Sequence, residues 1–178
     1  MAFKLDLPDQ VTLVTEHGEH ILAPAEKMTF QDVLLALSPE DDGLKIEITA
    51  DRTPLNFLFL RWNRRLPENA LFLGDAWERT YGDLQWRTHD PSRMMPWYFL
   101  MHEGTRTAGF GVRVRPGSFA LWTENPSGIA LWLDLRNGSK GVLLNNRTLH
   151  AATVVSAEYD GISAFQAARK FCSKLCTD

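Results

Sequence analysis

The chain has 178 residues, 44% of them hydrophobic and 23% charged, which allows one sizeable core and argues against a disordered polymer. Its formal charge of −3 is small and no basic block occurs, so the electrostatic footprint of a DNA- or RNA-binding protein is missing. The N-terminal MAFKLDLPDQ has no apolar leader core and no run approaches the roughly 20 apolar residues of a membrane span, so no membrane partner is expected.

Val11 to Pro24 reads as two short strands around a polar turn at His17-Gly18-Glu19. Thr29 to Leu37 is ambiguous, since Thr29 can cap a helix with Val33, Leu34 and Leu37 on one stripe, or the segment can be a strand. Ser38 to Gly43, SPEDDG, is expected as a loop. Leu44 to Arg52 alternates Leu44, Ile46 and Ile48 with Lys45, Glu47 and Thr49, the period of a half-buried strand. LNFLFLRWNRR then reads as an interior strand, and Leu71, Phe72 and Leu73 as a buried strand delivering Gly74 and Asp75 to its end.

After a polar connection at Thr88 to Met95, PWYFLMHEG, RTAGFGVRVRP, SFALWTENP and GIALWLDLRN read as four successive strands. GVLLNNRTLHAATVVSAEYDG adds one or two more, with a break near Asn145-Asn146. About ten strands at intervals of roughly ten residues predict an all-β fold, a large antiparallel two-sheet sandwich over residues 1–161. Residues 162–178 close the chain as a helix capped by Ser163, with Phe165, Ala168, Cys172 and Leu175 on its apolar face. Such a face must pack back on the sandwich or on something else, and the abrupt end at Asp178 leads us to expect a piece of a longer chain.

The two cysteines, Cys172 and Cys176, share a helical face and read as buried free thiols. The absence of a disulfide framework leans towards a reducing compartment such as the cytoplasm, with a removed signal peptide left open. The five histidines form no ligand set, no phosphate-cradling loop is present, and neither a metal nor a cofactor is expected.

The densest chemistry lies in GDAWERTYGDLQWR, residues 74–87. Carboxylates at Asp75, Glu78 and Asp83 stand among the rings of Trp77, Tyr81 and Trp86, with Arg79 and Arg87 beside them. Such a set can hydrogen-bond sugar hydroxyls and cover the apolar face of a pyranose; equally, aromatics fill β cores and Gly-Asp is ordinary turn chemistry.

With RWNRRLPENALFLGDAWERTYGDLQWR and the final strands leading into AFQAARKFC, the chain resembles the N-terminal region of alpha-galactosidase-like (melibiase-like) glycoside hydrolases, and Tyr81-Gly82-Asp83-Leu84-Gln85-Trp86-Arg87 is its match to a loop motif of that group. Leu84-Gln85-Trp86 departs from the Phe-Arg usual there. The resemblance implies a galactose mutarotase-like supersandwich standing ahead of a catalytic (β/α)8 barrel in the same polypeptide, with the helix at residues 162–178 as the link to it. The barrel would supply both catalytic carboxylates, so none is assigned in this chain. The implied substrate-binding residues are Asp75, Trp77, Glu78, Tyr81, Asp83 and Trp86, facing a galactoside-like carbohydrate. Homo-oligomerisation is left open.

Two other readings stand beside this one. A self-sufficient carbohydrate-binding module would use outward-facing rings among Trp62, Trp97, Trp122 and Trp132. An aldose 1-epimerase-like enzyme would need a histidine and a carboxylate to converge, with His102 or His150 and Glu103 or Glu124 as candidates.

Overall fold

The computed structural model describes residues 5–75 and 85–176. Along the chain run β1 (Gln10–Thr15), β2 (Gly18–Leu22), β3 (Lys27–Phe30), β4 (Val33–Glu40), β5 (Gly43–Ala50), β6 (Leu55–Asn63) and β7 (Leu71–Gly74). They are followed by β8 (Met95–Pro96), β9 (Tyr98–Glu103), β10 (Arg106–Val112), β11 (Phe119–Asn125), β12 (Gly128–Asp134), β13 (Thr148–Asp160) and one helix, α1 (Ala164–Leu175). The strands make two antiparallel sheets: a first of order β2-β1-β6-β12-β11-β8 and a second of order β3-β4-β5-β13-β10-β9-β7. The all-β two-sheet sandwich with a C-terminal helix is therefore the fold.

Alternation builds the core. Leu44, Ile46 and Ile48 of β5 face Leu58, Leu60 and Trp62 of β6 and Ile129, Leu131 and Leu133 of β12 in one buried cluster between the sheets. Thr29 to Leu37 is strand, not helix: Gln31 at φ 53° and Asp32 turn β3 into β4 within two residues. The expected loop at 38–43 is mostly strand as well. Ser38, Pro39 and Glu40 pair with β5, leaving only Asp41 and Asp42 as the turn. Pro39 is tolerated because β3 pairs with β4 only as far as Ala36, so it sits on an open edge. The C-terminal strand region is a single strand of 13 residues, bulged between His150 and Ala152 and preceded by Asn145 and Asn146, both at positive φ.

Helix α1 packs back on the outer face of the second sheet. Ser163 caps it, its hydroxyl accepting from the Gln166 N–H while Gln166 Oε1 accepts from the Ser163 N–H. The buried face is Ala167, Phe171 and Leu175, turned from the predicted one, and Phe165 is 70% exposed. β10 makes room for it with glycine: a Cβ on Gly109 would lie 2.5 Å from the Phe171 ring, and one on Gly111 2.8 Å from Leu175. Phe171 and Leu175 thereby join Leu100 and Val155 in a second, smaller buried cluster.

Candidate functional site

β7 is an edge strand held by β9, and its last residue must be small: a Cβ on Gly74 would meet the Met95 side chain at 2.3 Å. Asp75 follows, only 8% exposed, its N–H 3.4 Å from the Tyr98 carbonyl. The expected site residues Trp77, Glu78, Tyr81 and Asp83 lie outside the described residues. The chain is described again from Gln85, and Trp86 packs half-buried beside the α1 cluster, its ring 5.7 Å from that of His102. Arg87 and Phe72 then exchange both backbone hydrogen bonds, at 2.7 and 2.9 Å, which ties the two ends of the segment together.

Asp75 opens on a groove of about 390 Å3, within the size range of small-molecule sites. Trp97 and Tyr98 line it, with Val112 to Pro116 behind β10 and Cys172, Leu175 and Cys176 at the end of α1. Trp97 is where the chain leaves the first sheet, as β8, and enters the second, as β9. It makes the corner with φ 66°, a backbone region that costs a bulky residue roughly 1–3 kcal/mol. Three hydrogen bonds hold it there: its N–H donates to Ala120 at 3.1 Å, and its carbonyl accepts from Val112 N–H at 3.0 Å and from Trp122 Nε1 at 3.2 Å. The ring leans on Phe119, centroids 4.7 Å apart. Arg115, at φ 62°, is a second strained residue on the same groove.

The α1 wall is fixed from two sides. Val114 N–H donates to the Leu175 carbonyl at 3.0 Å. Asp42, in the β4–β5 turn, meets Lys174 Nζ at 2.7 Å and Arg113 Nη2 at 2.9 Å. Hydrogen bonding from Lys174 first, with Arg113 adding its charge, holds the Asp42 carboxyl below the usual range. The groove thus combines a nearly buried carboxylate, two aromatic side chains and guanidinium groups at one rim, a set able to bind hydroxyls and stack on an apolar ring face.

Two of the alternative readings lose residues they would need, and one expectation is corrected. Trp62 and Trp122 are core, at 3% and 0% exposure, Trp97 makes the corner between β8 and β9, and Trp132 is 38% exposed. The histidine–carboxylate pairs considered for an epimerase do not form. His102 Nδ1 meets Thr107 Oγ1 at 2.9 Å, His150 Nε2 meets Thr153 Oγ1 at 3.3 Å, and Glu124 binds His89 instead. The thiols are not buried together: Cys172 is half-buried and Cys176 exposed, the helix having turned its other stripe inward.

The His89–Glu124 pair was not legible beforehand. Glu124, 4% exposed, takes His89 Nδ1 at 2.5 Å on one oxygen and the Asp90 N–H at 2.8 Å on the other, while His89 Nε2 faces the Pro67 carbonyl at 3.1 Å. The pair pins the arm that follows Arg87 onto the sandwich, and Arg93 adds a bond to the Phe72 carbonyl at 3.1 Å. Among the described residues no group of three His, Cys, Asp or Glu side chains is arranged to hold a metal ion.

Comparison with models of protein families, with curated proteins and with solved structures finds no match for this chain.

Proposed function

We propose that this sandwich is the N-terminal, galactose mutarotase-like accessory domain of an alpha-galactosidase-like glycoside hydrolase, recognising carbohydrate for a catalytic barrel elsewhere in the same polypeptide. The observation that carries the reading is Asp75: a carboxylate almost closed off from water at the mouth of an aromatic groove, at the start of the one segment that crowds acids and rings together. A carboxylate at that position can accept hydrogen bonds from a ligand that shares the groove.

In this reading Trp97 and Tyr98 form the apolar wall and Asp75 accepts from sugar hydroxyls, while Trp77, Glu78, Tyr81 and Asp83 of the adjoining sequence are the further sugar-contacting residues that the family resemblance implies. Bond cleavage belongs to the barrel, and this chain binds and orients. Hence substitutions here act on substrate affinity and positioning, not on the two catalytic carboxylates.

The test is steady-state hydrolysis of aryl galactosides by the full-length polypeptide carrying Asp75→Asn or Trp77→Ala. The expected result is a rise in KM or a fall in kcat/KM with the isolated sandwich still folded. Unchanged kinetics in both variants would sink the reading.

A further inference from the structure

The two outer faces of the sandwich differ. Helix α1 covers the second sheet, whereas the first sheet has no helix against it among the described residues, yet it places apolar side chains where alternation calls for polar ones. The strand register aligns Ile21, Thr12, Phe59, Trp132 and Leu121 in one row across β2, β1, β6, β12 and β11. Trp132 is 38% exposed and its ring leans on Phe59, centroids 4.5 Å apart and planes 53° to one another.

Planar polar groups border this ring along both strand directions. On one side Arg136 donates from Nε and Nη2 to the two oxygens of Asp134, at 3.0 and 2.8 Å, and its guanidinium lies 4.3 Å over the Phe57 ring. Asp134 is two residues from Trp132 on β12, about 7 Å away on the same face. On the other side Arg61, two residues from Phe59 on β6, donates to Asn63 at 2.8 Å, Asn125 at 3.1 Å and Ser127 at 2.7 Å. A protein-docking patch has a broad apolar centre depleted of charge, whereas here the Trp132 ring stands between two sets of prearranged donors and acceptors, the other well-exposed apolar side chain of the row, Ile21, lying three strands away on β2. A neutral pyranose has the matching form, with an apolar C–H face for the ring and equatorial hydroxyls for the borders.

We propose that the outer face of the first sheet is a second carbohydrate-binding site, in which Trp132, propped by Phe59, stacks on a neutral sugar ring while the Asp134–Arg136 pair and Arg61 hydrogen-bond its hydroxyls. The site shares no residue with the Asp75 groove, so either can exist without the other.

Affinity electrophoresis of the chain through gels containing galactomannan, xyloglucan or soluble starch tests it, with wild type, Trp132→Ala, Asp134→Asn and Asp75→Asn run side by side. The inference predicts that at least one polysaccharide retards wild type and Asp75→Asn alike, and that Trp132→Ala weakens the retardation by about tenfold, equivalent to about 1.4 kcal/mol. Trp132 is exposed, so the variant should keep its circular dichroism spectrum. Retardation that survives Trp132→Ala but is lost in Asp75→Asn overturns this inference and leaves the groove reading standing. No retardation by any of the three also overturns it, as does concentration-dependent self-association that Trp132→Ala removes, which would mark the face as an interface between copies.

Discussion

Phe72 and Arg87 stand fifteen positions apart in the chain and exchange both of their backbone hydrogen bonds, at 2.7 and 2.9 Å, closing the base of the acid- and aromatic-rich segment on the edge of the second sheet. The two described ends of that segment therefore form a fixed stem. Arg87→Pro deletes the donor to the Phe72 carbonyl, and we expect amide exchange of Phe72 and Leu73 to accelerate by about tenfold or more while amides of β5 and β13 keep their protection. Equal exchange in both proteins would show that the stem is held by other contacts.

Glu124→Gln tests the pin on the returning arm. Glutamine can still accept the Asp90 N–H but cannot meet His89 as a carboxylate does, and the group is nearly buried. A loss of roughly 1–3 kcal/mol in urea denaturation is expected, with faster exchange over residues 88–93. A neutral result would assign the arm's position to Arg93 and Phe72.

Gly109→Ala tests how α1 seats. The added methyl would fall 2.5 Å from the Phe171 ring, so the helix must lift or the ring turn. We expect a cost of roughly 1–3 kcal/mol. Gly104→Ala is the contrast: nothing lies within 4 Å of its would-be Cβ, and the cost there comes from φ 59° alone, about 1 kcal/mol.

Asp42 gives the helix a pH dependence whose sign is fixed. Lys174 and Arg113 lower its carboxyl in the folded state below the unfolded value of about 3.9. Its contribution is complete above that value and is lost as pH falls through the folded one. Asp42→Asn should therefore destabilise the protein at neutral pH, and the gap to wild type should narrow as the pH drops below about 4. A gap that stays constant with pH would mean that the carboxylate's charge does not hold Lys174.

Where side-chain period decides structure, the sequence could be read directly. Leu44, Ile46 and Ile48 alternate, and β5 follows them; Ser163 announces the helix start. Ser38 to Glu40 misled because Ser, Pro and Glu look like loop residues, yet an open strand edge tolerates Pro39. The helix face was turned because Phe165 counted as an anchor, while the glycines of β10 admit only the stripe of Phe171 and Leu175.

Of the residues singled out in the sequence, Asp75 lines the groove and Trp86 does not. Gly74-Asp75 and Trp86-Arg87 could be singled out by residue type, but the groove draws on Trp97, Arg113 and Arg115, and on the last turn of α1. These meet through tertiary packing and through a corner at Trp97 that no local spacing announces. The same holds for His89 and Glu124, 35 residues apart.

The central claim is that the Asp75 groove binds carbohydrate. Its most direct test is titration of the chain with methyl α-galactoside at millimolar concentration, following the indole N–H resonances of Trp97 and Trp86. The account predicts saturable shifts of Trp97 that Asp75→Asn abolishes while the core resonances of Trp62 and Trp122 stay in place. Indole resonances that do not move, or shifts that Asp75→Asn leaves unchanged, would contradict it.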